Sequence, residues 1–181
     1  MRYAGIIYDD TAAAPGLCLS FYTQGCPIHC PGCHNPQTWP EEGGHEFTVD
    51  TMNRIIEGIK KNDVIRSFAV LGGEPLSPHN AFLTAMVIQN VREHYPQIPI
   101  WIWSGYEIEE ILGMTSSPHI KNILSKANVI VAGPYKEELR DISLPHMGSS
   151  NQKVFIVDHE KNKCYNKENE EEEFYFNVRN E

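Results

Sequence analysis

Ser67-Phe68-Ala69-Val70-Leu71-Gly72-Gly73-Glu74-Pro75 decides how this chain is read. Residues 68–71 are apolar at every position, as expected of a strand covered on both faces. Gly72-Gly73 ends the run, and Ser77-Pro78 offers an N-cap with proline at the first helical position. Phe82, Leu83, Met86, Val87 and Val91 then form an apolar stripe at helical spacing. Buried strand, glycine turn and amphipathic helix make one βα unit.

The same order of elements recurs outward from that stretch. Upstream, residues 17–23 read as an apolar and aromatic strand, and a helix begins near Asp50, its expected N-cap, with Met52, Ile55, Ile56 and Ile59 on one face. Downstream come a strand at 98–103, two short helical pieces at 108–112 and 120–126, and an apolar strand at 128–132 stopped by Gly133-Pro134. Residues 153–157 read as a fifth strand. Strands separated by helices pair in parallel. Four or five βα units are too few to close an eight-stranded barrel. The expected fold is therefore α/β, an open partial (βα) barrel of mostly parallel strands. No repeat or long linker divides the chain, so residues 1–160 are expected to form a single domain. Residues 161–181 form an acidic C-terminal tail that reads in one of two ways: as a solvated or mobile segment, from the block Glu170 to Glu173, or as a terminal strand, from Phe174-Tyr175-Phe176.

Bulk properties narrow the function. The chain has 181 residues, 41% apolar and 22% charged, ordinary for a globular protein. Its net charge of -9 carries no Lys/Arg block, which argues against nucleic acid as a partner. No apolar run approaches the ~20 residues that span a bilayer, and Met1 to Ile6 does not resemble a secretory signal. A cytoplasmic location is expected, where thiols stay reduced. The five cysteines are then no disulfide framework.

Three of the five lie in Gly25-Cys26-Pro27-Ile28-His29-Cys30-Pro31-Gly32-Cys33-His34-Asn35-Pro36. The prolines and Gly32 rule out a helix, leaving a loop with three thiols. Two metal chemistries fit. Structural zinc takes four tetrahedral ligands, the fourth supplied by His29 or His34. A cubane iron–sulfur cluster, usually held by four cysteines, would keep one iron open to substrate. Each further strand also ends in a marked turn: Gly72-Gly73-Glu74 after the second, Ser104-Gly105-Tyr106 after the third, Gly133-Pro134-Tyr135 after the fourth. Loops at the carboxyl ends of parallel strands converge on one site. Trp101 and Trp103 read as core, as does Cys18. Cys164 reads as incidental, and His79, His94 and His119 read as solvent-facing; His45 and His159 join no constellation.

The ordered set resembles the radical S-adenosylmethionine enzymes, whose cluster motif is C-x-x-x-C-x-x-C and whose Gly-Gly-Glu turn contacts the methionine end of the cofactor. More narrowly, Gly25-Cys26, Pro31-Gly32-Cys33-His34-Asn35, Thr38-Trp39, Gly72-Gly73-Glu74-Pro75-Leu76, Trp101-Ile102-Trp103-Ser104-Gly105-Tyr106 and Gly148-Ser149-Ser150-Asn151-Gln152 are similar, in order, to the activating proteins of anaerobic ribonucleoside-triphosphate reductases. The resemblance implies a [4Fe–4S] cluster on Cys26, Cys30 and Cys33. It implies S-adenosyl-L-methionine held by Gly32, Cys33, His34, Gly72, Gly73, Glu74 and Ser104, and no catalytic side chain beyond cluster and cofactor. One electron from an external donor such as a flavodoxin would cleave the cofactor to methionine and a 5'-deoxyadenosyl radical. That radical would take a hydrogen from a glycine of a large glycyl-radical reductase subunit, with Tyr106, Tyr135, His146 and Asn151 facing the partner. His146-Met147 departs from the Trp-Arg of that group. The alternatives are an activator of a formate-lyase type of glycyl-radical enzyme and a zinc-stabilised interaction module.

Overall fold

In the computed structural model, residues 1–176 are described. Nine strands lie among them: β1 (Arg2–Asp10), β2 (Cys18–Thr23), β3 (His45–Glu46), β4 (Ser67–Gly72), β5 (Ile100–Trp103), β6 (Val129–Ala132), β7 (Lys153–Asp158), β8 (Lys163–Asn166) and β9 (Glu173–Tyr175). Four α-helices accompany them: α1 (Val49–Ile59), α2 (Ala81–His94), α3 (Ile108–Gly113) and α4 (Pro118–Leu124).

β2, β4, β5 and β6 pair in parallel because helices join each to the next: α1, then α2, then α3 with α4. These four strands form the centre of one sheet ordered β3-β1-β2-β4-β5-β6-β7-β8-β9. The other five pairings are antiparallel, so the sheet is mixed rather than mostly parallel. The reason is local. The 133–152 connection holds no α-helix, and without a helical crossover β7 turns back along β6. β8 and β9 follow as a meander, so part of the acidic tail joins the sheet. Residues 177–181 of that tail lie outside the described residues.

The two faces of the sheet are covered differently. Leu19, Phe21, Phe68, Val70, Ile100, Ile102 and Ile130 pack on one face against Ile55 and Ile59 of α1, Leu83, Val87 and Val91 of α2, and the apolar sides of α3 and α4. Their neighbours along the strands, Cys18, Ala69, Trp101, Val129 and Val131, point the other way and meet Ala13, Ala14 and Met147 from loops, with no helical residue in that cluster. Period-two alternation thus persists inside the all-apolar runs. Each fully buried large side chain, such as Phe21 or Phe68, contributes about 1.5–3 kcal/mol.

Several local expectations need correction. β1 was not foreseen; it runs antiparallel beside β2. Its end is tied down by Arg66, a buried side chain that donates to Asp9 at 2.6 and 2.8 Å and to the carbonyls of Lys61 and Val64. The N-cap of α1 is Thr48, not Asp50: Thr48 and Thr51 exchange side chain-to-backbone bonds at 3.2 and 3.3 Å. α2 starts at Ala81, because turns occupy the segment after Pro75. Phe82 is 50% exposed, off the buried stripe. Cys164 is no incidental surface thiol. It is fully buried in the helix-side core, and burial pushes its pKa up to about 12.

Candidate functional site

The carboxyl ends of β2, β4, β5 and β6 open onto one cavity of about 400 Å³. Cys26, Cys30, Cys33 and His34 line it from the first loop, Gly72, Gly73 and Glu74 from the second, Ser104 and Gly105 from the third, and Gly133 and Tyr135 from the fourth.

The cysteine loop is fastened at both ends by the segment that follows it. Gly25 N–H donates to Thr38 O at 2.8 Å and Cys26 N–H to Trp39 O at 3.1 Å. The buried Gln24 amide donates to the carbonyls of Gln37 (3.1 Å) and Pro40 (2.6 Å). Inside this clasp, Cys33 N–H donates to Cys30 O and Asn35 N–H to Cys33 Sγ. His29 takes a left-handed backbone, φ 52°, which lets the loop reverse between Cys26 and Cys30. Its ring stacks on Trp39 with centroids 4.7 Å apart. Burial raises the Cys26 and Cys30 thiols, and the Glu74 charge adds to both; backbone N–H groups of Ile28 and His29 oppose the shift at Cys26, and that of Tyr135 opposes it at Cys30. A bound metal cation reverses that balance and favours thiolates.

The Gly-Gly-Glu turn packs directly on the base of this loop. A Cβ on Gly73 would sit on the Gly25 carbonyl, 3.0 Å from its carbon and closer still to its oxygen. Gly73 N–H donates to Thr23 O at 3.0 Å and Glu74 N–H to Gly25 O at 2.9 Å. Asn80 donates to the carbonyls of Gly25 (2.8 Å) and Glu74 (3.0 Å). The Glu74 carboxyl is 1% exposed. It accepts from Leu76 N–H (2.9 Å), Ser104 Oγ–H (2.9 Å) and Gly105 N–H (2.8 Å). Burial raises its pKa to about 7 against those three donors. Glu74 therefore joins the loops after β4 and β5, and its oxygens and the Ser104 hydroxyl are already engaged with each other.

The fourth wall is held by Gln152. Its oxygen accepts from Gly148 N–H (2.8 Å) and Ser149 N–H (3.3 Å), while its amide donates to Gly133 O (3.0 Å). Tyr135 lies 5.1 Å from the His34 ring. A second cavity, about 540 Å³, adjoins the first through shared walls at His34, Trp103 and Gly148, and is otherwise lined by residues 11–12 and 140–147.

Most of the expected site residues line the first cavity; four do not. Gly32 lies on the outer side of the cysteine loop, against the Glu137 carboxyl. Tyr106 is half-buried on the helix-side core, with its carbonyl accepting from Gly133 N–H. His146 lines the second cavity, its ring 5.0 Å from Trp101. Asn151 donates to Pro134 O at 2.8 Å and lines neither cavity. Tyr22, Ile28, Trp39 and Trp103 line the first cavity without having been singled out for it. Trp103, expected in the core, instead lines the mouth of the cavity as the last residue of β5.

A cysteine loop, a Gly-Gly-Glu turn and two further strand ends around one cavity define an iron–sulfur protein of single-cluster type. The sequence profile of the 4Fe-4S single cluster domain matches residues 12–155. The chain is 32% identical over 155 residues to the anaerobic ribonucleoside-triphosphate reductase-activating proteins of Salmonella typhi and Escherichia coli (strain K12), covering 85% of this chain and 97% of each relative. It is 30% identical over 155 residues to the protein of the same description from Enterobacteria phage T4, covering 86% and 94%. The chain belongs to the 4Fe-4S, radical S-adenosylmethionine family of anaerobic ribonucleoside-triphosphate reductase-activating proteins. Its cofactors are accordingly the [4Fe–4S] cluster and S-adenosylmethionine.

The donor set fits such a cluster. Three free thiols line one cavity, and the other two cysteines are buried in the cores. Among the described residues, no three His, Cys, Asp or Glu side chains converge where one ion would sit. A cubane does not require that convergence, because each thiolate binds a different iron.

Proposed function

We propose that this chain generates a glycyl radical on an anaerobic ribonucleoside-triphosphate reductase, with Cys26, Cys30 and Cys33 holding three irons of the cluster. The observation that carries this reading is the single cavity shared by those thiols and the Gly72–Glu74 turn. When bound, the cluster and S-adenosylmethionine supply one-electron cleavage of the sulfonium and, from it, a radical able to take a hydrogen atom from glycine.

The chain's own residues bind, orient and exclude water. The backbone of Gly72 and Gly73 and the Cys33-His34 segment would form the cradle for the methionyl end. Glu74 and Ser104, bonded to each other, hold the second and third loops at fixed separation, so their contribution is positional as much as direct. Tyr135, in the first cavity, and His146, in the adjoining one, would face an entering partner loop. Tyr106 and Asn151, both half-buried, carry the loops beside that entrance. The four parallel strands would curl as an open partial (βα) barrel around the cofactor, with residues 1–160 as the catalytic domain and 161–181 as its extension. A flavodoxin-type protein would deliver the electron, and the setting would be cytoplasmic; among the described residues no helix is long and apolar enough to cross a membrane.

The test is electron paramagnetic resonance of the reconstituted protein mixed, without oxygen, with the anaerobic reductase from the same source, cofactor and reductant. A glycyl doublet on the reductase, with methionine and 5'-deoxyadenosine produced, is expected. A doublet only on a formate-lyase type of glycyl-radical enzyme would reassign the partner. Substitutions at His146 should weaken the doublet more than they weaken cofactor cleavage.

A further inference from the structure

Asn80 stands at the N-cap of α2, where the side-chain oxygen of an asparagine ordinarily accepts from a free N–H of the first turn. Asn80 makes no such bond. The residue is 1% exposed, and its Nδ2 donates to two carbonyls, Gly25 O at 2.8 Å and Glu74 O at 3.0 Å. An amide nitrogen carries two hydrogens, so both are spent on this bridge. Both partners are carbonyl oxygens, which fixes the end of the amide that faces them.

The two carbonyls belong to different loops of the site. Gly25 O is half of the peptide group that leads into Cys26. That carbonyl also accepts from Glu74 N–H at 2.9 Å, and the Cys26 N–H of the same peptide donates to Trp39 O at 3.1 Å. Glu74 O closes the Gly-Gly-Glu turn. Asn80 therefore ties the peptide before the first thiol, and the turn across the cavity from it, to the start of a 14-residue helix. A ligand that touches both loops binds more tightly when their separation is set in advance, because less ordering is left to the binding step. We propose that Asn80 is a positioning residue for S-adenosylmethionine, fixing the cysteine loop and the methionyl cradle at one separation. This rests on the reading of Cys26, Cys30 and Cys33 as cluster ligands and of the 72–74 turn as the cradle. The bonds of Asn80 go to backbone carbonyls rather than thiols, so cluster uptake should survive its loss.

The experiment uses anaerobically reconstituted full-length protein and S-adenosylmethionine as the probe. Iron and sulfide content of wild type and of the cysteine-to-serine variants, with cofactor binding to wild type, tests the underlying reading separately; wild type that loads no iron or binds no cofactor would sink that reading and the proposal with it. Equilibrium dialysis then compares wild type with Asn80→Ser and Tyr95→Phe. Serine is also a favoured N-cap residue, but its hydroxyl donates one bond and cannot join both carbonyls. Tyr95→Phe removes a side chain-to-carbonyl bond at the other end of α2, Tyr95 Oη–H to Ile56 O at 2.8 Å. Asn80→Ser should load iron and sulfide as wild type does, and its Kd for the cofactor should rise about tenfold, about 1.4 kcal/mol. Its reduced-cluster resonance should match wild type without cofactor and differ at saturating cofactor. Tyr95→Phe should keep the wild-type Kd. A wild-type Kd in Asn80→Ser overturns the proposal, as does an equal rise in Tyr95→Phe, which would report lost stability. A folded Asn80→Ser protein that takes up no iron overturns it too, because Asn80 would then serve cluster assembly. Should Asn80→Ser not fold, Asn80→Asp, which keeps the shape but turns carboxylate oxygens on the two carbonyls, is judged by the same criteria.

Discussion

Replacing Gly73 by alanine tests how the two glycine-bearing loops meet. The added Cβ would overlap the Gly25 carbonyl, which is backbone and has no rotamer to change. Relief requires the 72–74 turn to move off residues 23–25. That carbonyl accepts from Glu74 N–H at 2.9 Å and Asn80 Nδ2 at 2.8 Å, and Gly73 N–H donates to Thr23 O at 3.0 Å. Stretching such bonds costs about 1 kcal/mol each, more if a buried donor is orphaned. Overpacking by one methyl adds roughly 1–3 kcal/mol. A loss of about 3 kcal/mol is expected, or a fall in Tm of roughly 6–12 °C for a domain of this size. Because Gly25 begins the cysteine loop, cluster loading should fall in parallel. Thermal unfolding by circular dichroism and iron content after anaerobic reconstitution measure both. An alanine variant with wild-type Tm and full iron would show that the turn is not packed on Gly25, and the reasoning would fail.

Glu74 gives a pH signature. Burial raises its folded pKa from the ordinary carboxylate value of about 4.5 to about 7, so the folded state binds the proton more tightly than the unfolded state. Its contribution to stability is therefore greatest below about pH 4.5 and is lost as pH rises through about 7, a swing of roughly 3 kcal/mol. Urea unfolding of wild type and Glu74→Gln across that window should show the wild-type curve falling relative to the variant; parallel curves would refute the assignment. Cys164→Ser should keep its cluster but lose about 1–3 kcal/mol, since a hydroxyl replaces a fully buried thiol in the core. An unchanged Tm would contradict its core placement.

The central strands were legible because β4, β5 and β6 are almost wholly apolar runs bounded by glycine or proline and β2 is dominated by apolar and aromatic residues, and the cysteine loop because its three thiols are local in sequence. β1 was not legible, since Gly5 interrupts it and only Tyr3 among its residues is fully buried; its pairing with β2 is made by backbone. Cys164 was hidden by the polar composition around it, although Cys164 and Asn166 alternate inward along β8. The role of Glu74 depends on partners thirty residues away, at Ser104 and Gly105, which no local pattern reports. Tyr22, Trp39 and Trp103 reach the cavity only because of where their strand or clasp ends.

The clasp around residues 24–40 has a consequence for metal loss. Closing a flexible loop costs entropy that grows with its length. Here the Gly25–Thr38 and Cys26–Trp39 bonds make that closure from main-chain atoms, which bind no iron. Iron leaving the site would free the thiols but leave the tether tied at both ends. Rebuilding would then search only the few residues between Gly25 and Thr38, and an enzyme damaged by oxygen could be repaired in place without refolding its sheet.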